Sequence, residues 1–303
     1  MVFSKLANSY FDEFPFRQRK KLATSSDYFF LSHAHSDHTT GIKSVLSSSD
    51  TTIVCSKETA AALKVLHRIP KEKCLLIGTN QSLDFDDFVI HAIDANHCLG
   101  SLMFVIESSE NRKEVYTGDF RLGKPILDEL ELIQGADHLW VDYTYGDMPR
   151  YNFPSRKELI SEILSLMLAD GNYPHKEIWI AAYQIGKEKL LKTISDALKV
   201  KIFAPEKKVQ IYKEIGGGWD IFTDDPDSGI CVESRRRVEN LTGLDQQTEA
   251  RLLDSLRISP TGWAVELVSK RLDVHYFPYS DHCSFDEVNQ FIELANAQEI
   301  TKI

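Results

Sequence analysis

The stretch "FFLSHAHSDHTTG", residues 29 to 41, places three of the chain's ten histidines and an aspartate within six positions. Ahead of them runs an apolar β-type segment, Tyr28-Phe29-Phe30-Leu31, suited to a buried strand. In an extended chain residues two apart face the same way, so His33 and His35 converge on one point. Asp37 and His38 follow where the chain turns toward a helix, "DHTTGIKSVLSS", and aim at a second, neighbouring point. A polar loop after a core strand is the bland alternative. Four such residues in HxHxDH order favour metal instead, because clustered imidazoles with a carboxylate are typical ligands of zinc and similar ions.

The chain around this cluster has 303 residues, enough for one large or two ordinary domains, and is 43% hydrophobic and 26% charged, as a globular protein is. No run approaches the roughly 20 apolar residues of a membrane helix. The start "MVFSKLANSYFDEFPF" lacks the basic-then-apolar plan of a signal peptide, which points to an intracellular protein. Cys55, Cys74, Cys98, Cys231 and Cys283 are scattered, which argues against a disulfide framework or a cysteine-based zinc site. A net charge of −10 gives no whole-molecule attraction to nucleic acid, so binding of that kind must come from metal ions and local basic patches.

Apolar runs bounded by turn residues predict strands at 27–32, 51–56, 87–94, 101–108, 113–119 and 138–145, with a helix over 57–69. The middle alternates helix and strand: a helix at 155–171 with Ser155 as its cap, a strand at 177–183, a helix at 186–199, the strand "KIFAP" and the helix "EKKVQIYKEIG". Such alternation implies parallel pairing with helices on the sheet. Residues 216–229 read as a loop, and a last helix covers 284–296 before the short "EITKI".

Three strand ends carry further candidate chemistry: His97 in "DANHCLGS", Asp119 in "YTGDF" and Asp142 in "VDYTYG". An aspartate ending a strand is usually a turn former, so each alone is weak. A carboxylate shared between two cations does, however, offset their mutual repulsion.

Taken in order, "HAHSDH", "DANHCLGS", "YTGDFR", "VDYTYG", "YQIGKEKLL", "ISPTGW" and "PYSDHCSF" resemble the metallo-β-lactamase-fold nucleases of the DNA-crosslink-repair (Artemis/Apollo/Pso-type) group, the DNA-directed branch of the β-CASP proteins. The resemblance covers nearly the whole chain. It implies an α/β fold: a metallo-β-lactamase αββα sandwich over 1–149, an inserted α/β β-CASP domain over 150–264, and a return to the first domain over 265–303. It also implies site residues. His33, His35, His97 and Asp119 match the ligands of a principal metal. Asp37 and His38, with Asp119 bridging, match a second and weaker site. Asp12 in "YFDEFPF" either matches the group's early supporting aspartate or is a solvated turn residue. Asp142 and His282 match two positions at the cleft. In the RNA-directed branch a late histidine completes the second site, whereas here the matching segment "EITKI" has none.

The expected function is therefore a metal-dependent DNA phosphodiesterase, a 5′-to-3′ exonuclease acting in DNA repair or end processing, with endonuclease activity left open. Zinc is expected in one tight site, with a weaker divalent site open to magnesium or manganese. Asp37 is the expected partner of the attacking water, and His282 the proton donor to the leaving oxygen, oriented by Asp142. Gly186 and Lys187 at a predicted helix start, with Ser280, are expected to contact a phosphate, since free backbone N–H groups and a cation suit one. Single- or double-stranded DNA ends bearing a 5′-phosphate are the expected partner of a monomer. A nuclear protein is expected in a eukaryote and a cytoplasmic one in a prokaryote. The basic runs Arg17–Lys21 and Arg235–Arg237 read as solvated surface, and His175 with Cys231 is too little for a zinc site in the insertion. Three alternatives remain: an RNA-processing nuclease of the same fold, a non-catalytic nucleic-acid-binding relative, and a small-molecule hydrolase.

Overall fold

In a computed structural model, which describes residues 2–14, 28–46, 51–267 and 273–303, the chain forms two compact units, Met1–Arg150 with His282–Ile303, and Tyr151–Asp281. The basic run 17–21 lies outside the described residues.

The first unit holds two sheets. One runs in sequence order: β1 (Val2–Ser4), β2 (Ser9–Phe11), β3 (Tyr28–Phe30), β4 (Thr52–Cys55) and β5 (Cys74–Leu76), antiparallel at β1–β2 and parallel thereafter. The other is antiparallel from β6 (Gln81–Asp84) through β7 (Phe88–Asp94) and β8 (Leu102–Ser108) to β9 (Lys113–Tyr116). It continues in parallel through β10 (His138–Val141) to β17 (Glu299–Lys302). The inner faces meet through Phe11, Phe30 and Val54 from one sheet and Ile90, Phe104 and Tyr116 from the other, all at most 2% exposed. Helices α1 (Ile42–Leu46) and α2 (Lys57–His67) cover the first sheet through Ile42, Val45 and Leu63. The outer face of the second meets α3 (Lys124–Leu127), α4 (Leu130–Ile133) and α11 (Phe285–Ala295) through Ile126, Ile133 and Phe291. This is the expected αββα sandwich.

The second unit is built on a sheet ordered β13-β12-β14-β11-β15-β16, parallel throughout. Its strands are β11 (Ile178–Ala181), β12 (Ile202–Phe203), β13 (Phe222–Thr223), β14 (Ile230–Glu233), β15 (Leu256–Pro260) and β16 (His275–Phe277). Helices α5 (Arg156–Met167), α6 (Glu188–Leu198), α7 (Glu206–Ile215), α8 (Arg235–Asn240), α9 (Gln246–Leu253) and α10 (Ala264–Leu267) alternate with them. Ser155 does cap α5, in a reciprocal pair with Glu158.

Three expectations need adjusting. The return to the first unit comes at His282 and not at 265, because β16 pairs with β15 inside the second unit. The strands expected to reach Asp119 and Tyr145 stop at Tyr116 and Val141, and the functional carboxylates follow them on turns. The stretch 216–229, read as loop, also contains β13. No helix among the described residues is long and apolar enough to cross a membrane.

Phe104 stands behind the strand ends of both sheets, fully buried, with its ring centroid 5.7 Å from those of Phe11 and of Phe30. Phe104→Ala is expected to lower unfolding free energy by about 3–5 kcal/mol, read from denaturant midpoints at unchanged slope.

Candidate metal centre

Each ligand candidate sits just past a strand that fixes its backbone. β3 runs into Leu31 and Ser32, and Ser32 O accepts from Leu102 N at 3.0 Å, tying the histidine loop to the start of β8. His97 lies in the β7–β8 turn, where Ser101 Oγ accepts from His97 N and Cys98 N, both at 3.2 Å. Asp119 follows Gly118, whose φ of +52° turns the chain out of β9. Cys283 N donates to Phe120 O at 2.9 Å, which fastens the His282 segment beside that turn.

The side chains then converge. His33 Nε2 lies 2.9 Å from His35 Nδ1, and His97 Nε2 lies 3.2 Å from the same atom. Asp119 Oδ2 is 3.6 Å from both His33 Nε2 and His97 Nε2. Four donors on a tetrahedral zinc, each about 2.0–2.1 Å from the ion, stand roughly 3.3 Å apart. The observed separations bracket that value, and the donor set suits a borderline-soft divalent ion. His33, His35, His97 and Asp119 therefore fit such an ion.

His38 points elsewhere, as the turn after His35 requires. Its Nε2 faces Asp119 Oδ1 at 3.3 Å and Asp37 Oδ2 at 3.7 Å. Asp119 thus presents one oxygen to each histidine group, and Asp37 stands exposed at the rim. Asp12 is no solvated turn. It is buried, its Oδ1 accepts from Ser32 N at 2.7 Å, and its Oδ2 accepts from His38 Nδ1 at 2.6 Å and Tyr116 OH at 2.8 Å. Sequence could not reveal Ser32 or Tyr116 as its partners, since the pairing of β2 with β3 brings Ser32 to it and the packing of the two sheets brings Tyr116.

His282 completes the cluster from the return segment. Its Nδ1 bonds to Asp142 Oδ2 at 2.7 Å, while Nε2 lies 3.8 Å from Asp119 Oδ2. Asp142 Oδ1 accepts from Thr144 N at 3.0 Å and Thr144 Oγ1 at 2.6 Å. Burial would raise the Asp142 carboxyl, but the facing His282 charge and the Thr144 bonds hold it below the usual range. Thr144 is a further partner that sequence reasoning missed.

The residues expected to contact a phosphate are engaged within the second unit. Lys187 is buried, with Nζ on Asp281 Oδ2 at 2.8 Å, and Arg156 Nη1 meets the other oxygen at 3.1 Å. Gly186 N donates to the Glu188 carboxylate, which also accepts from Tyr212 OH, so a side chain of α6 already occupies that N–H. Ser280 is buried at 2% exposure. The motif reading missed this because it could not see that Asp281 is the lysine's counter-ion. Arg235 and Arg237 of α8 pair with the buried Glu239 and with Glu233 at the end of β14. Among the described residues, all three groups of donors that could hold a metal lie in the first unit.

The β-lactamase superfamily domain matches residues 4–171, and the DNA repair metallo-β-lactamase domain matches residues 221–302. The chain belongs to the β-lactamase superfamily. It is 31% identical to the 5′ exonuclease Apollo of Danio rerio, over 87% of this chain and 46% of that one. DNA ligase 6 of Arabidopsis thaliana is 30% identical over 91% of this chain but only 21% of its own length. The DNA cross-link repair 1A protein of Homo sapiens is 26% identical over 90% of this chain and 27% of its own. The chain thus spans less than half the length of each of these relatives. A solved structure of a protein of unknown function from Enterococcus faecalis V583 shares the fold, with a TM-score of 0.62 at 16% identity, covering 91% of this chain and 75% of that one.

The metal-free site has a defined pH response. Burial, then the neighbouring His35, His38, His97 and His282, push the His33 imidazole well below its ordinary 6.5. Burial would also lower His38, but Asp12 and Asp119 outweigh it and push His38 up to about 11. Below pH 6.5 the unfolded chain takes a proton that folded His33 refuses, so stability falls with acid. The His38 contribution is complete below 6.5 and lost as pH rises toward about 11. The melting temperature of chelator-treated protein is expected to peak near neutrality, with His33→Gln flattening the acid limb. For Lys187→Met, the expected effect is a stability loss of about 3 kcal/mol from leaving Asp281 short of one cation, read by denaturant unfolding.

Proposed function

We propose that the chain is a metal-dependent DNA nuclease that hydrolyses phosphodiester bonds as a 5′-exonuclease in DNA repair or end processing. The observation that carries the reading is one carboxylate, Asp119, facing two groups of imidazoles, with the His282–Asp142 pair beside it. Similarity to proteins named as a 5′ exonuclease and as DNA cross-link repair proteins selects DNA as the substrate.

In this reading His33, His35, His97 and Asp119 hold the tighter ion, zinc. His38, Asp37 and Asp119 hold a second divalent ion more weakly. Divalent ions held there supply Lewis acidity toward a phosphate and ease the deprotonation of an attacking water. The remaining work falls to side chains. Asp37, exposed at the rim, accepts a proton from the attacking water. Asp142 keeps the Nδ1 proton of His282 in place, so that Nε2 presents a donor to the leaving 3′-oxygen. That oxygen is a poor leaving group unless protonated, and a positioned imidazole contributes roughly 10²–10⁴-fold near neutral pH. A protein of net charge −10 depends on the ions to draw in a polyanion. The protein acts as a monomer on 5′-phosphorylated ends, inside the nucleus of a eukaryotic cell or the cytoplasm of a prokaryotic one.

The test is digestion of labelled single- and double-stranded DNA, with and without 5′-phosphate, beside RNA of the same sequence, in zinc, magnesium and manganese. Progressive loss from 5′-phosphorylated DNA ends is expected; preferential cleavage of RNA, or no cleavage under any condition, overturns the reading. His282→Ala should keep ion content and DNA affinity while losing about 10²–10⁴-fold in rate. The loss should be smaller on a nitrophenyl phosphodiester, whose leaving group needs no proton. Equal slowing on both substrates together with ion loss would make His282 a ligand instead.

A further inference from the structure

Between the two histidine groups stands a hydroxyl that neither group's ligand set includes. Ser32 is fully buried, and its Oγ donates to Asp12 Oδ2 at 2.5 Å. That bond uses the hydroxyl's only proton, so at the other contact, 2.8 Å from His33 Nδ1, Ser32 Oγ is the acceptor and the imidazole the donor. With the proton on Nδ1, the lone pair of His33 is on Nε2, the atom facing His35 and Asp119. Asp12 Oδ2, which receives the Ser32 proton, is the same atom that holds His38 Nδ1 and thereby turns His38 Nε2 toward Asp119 Oδ1. Tyr116 OH is the third donor to that oxygen.

The packing reserves this place. A Cβ on Gly118 would stand 2.7 Å from both Ser32 Cβ and Oγ, so the turn that delivers Asp119 is closed down directly on the hydroxyl. The main-chain N of Ser32 is bound as well, to Asp12 Oδ1 at 2.7 Å, which leaves the carboxylate and the hydroxyl in one fixed relation.

We propose that the Ser32 hydroxyl is a positioning group for both ion sites at once: it sets the His33 tautomer for the first and, through Asp12, the orientation of His38 for the second, while Tyr116 supports the second alone. The proposal rests on the two-ion reading above. Outer partners of ligating histidines typically contribute 10–100-fold in metal affinity. A residue serving one site would shift one affinity; one serving both shifts two.

The test is zinc titration of chelator-stripped protein against a chromophoric competitor, resolving both dissociation constants, with metal-free melting temperature as the control for folding. Ser32→Ala is expected to weaken both sites by about 10-fold or more each. Tyr116→Phe should weaken the second site by a similar factor and leave the first unchanged. If wild-type protein binds two ions and Ser32→Ala weakens only one site or neither, the proposal is overturned. The same holds if Tyr116→Phe weakens the first site, which keeps the idea testable should Ser32→Ala not fold. Wild-type protein that binds fewer than two ions at saturation would instead overturn the two-ion reading.

Discussion

Lone pairs do not gather without a counter-charge. In the first unit, imidazole nitrogens of His33, His35 and His97 and a carboxylate oxygen of Asp119 all lie within 4.8 Å of one another. Unscreened by water, such donors repel, and the repulsion grows as burial lowers the local dielectric. Only a cation makes the arrangement favourable, and only a stiff frame holds it while the cation is away. The frame consists of backbone bonds between strand ends. Leu102 N to Ser32 O, Arg121 N to Ala95 O, Thr117 N to Trp140 O and Cys283 N to Phe120 O each fasten one ligand-bearing loop to its neighbour. The aromatic core behind them, Phe11, Phe30, Phe104 and Tyr116, leaves these loops no slack to spread.

Burying charge sets a different requirement in the second unit. Lys187 and Arg156 share the one carboxylate of Asp281 within that unit, and Lys208, 1% exposed, donates to the carbonyls of Tyr183 and Gln184 at 2.9 and 3.2 Å. A desolvated ammonium is tolerated only when its protons are all directed. These lysines therefore lock the turn after β11 into place. Lys187 reads in sequence as a cation awaiting a phosphate because a one-dimensional motif shows the cation and hides its partner.

That contrast explains what was legible and what was not. His33 and His35 were readable because strand geometry fixes the direction of alternate residues over a few positions, and Asp37 and His38 because the chain must turn directly afterwards. Strands β3, β4 and β7 to β12 and the longer helices were readable from periodicity, down to the Ser155 cap, whereas β1, β2, β5, β6 and β13 to β16 were not. Tyr116 and Asp12 were not, because they meet across 104 residues through the packing of two sheets. The return point at His282 was missed because β16, three residues long, has too few side chains to reveal its neighbour. Local rules thus marked His33, His35, Asp37 and His38 as candidates, whereas the side chains that contact them across the fold come from topology.

The site contains two aspartate–histidine pairs of the same design, and their surroundings separate their uses. Asp12 holds His38 and Asp142 holds His282, in each case through Nδ1 with Nε2 directed at Asp119. The His38 side chain is 14% exposed and lies between the carboxylates of Asp12 and Asp119, with Asp37 beyond. An imidazole enclosed by carboxylates holds its proton tightly until an arriving cation displaces it to solvent, as a ligand would in the proposed reaction. The His282 side chain is 27% exposed, and a single close carboxylate partners it. It can exchange protons with water between turnovers and meet a substrate from outside, as a donor to a leaving oxygen must. In the proposed reaction, the same pairing set at two depths would suit metal binding at His38 and proton transfer at His282.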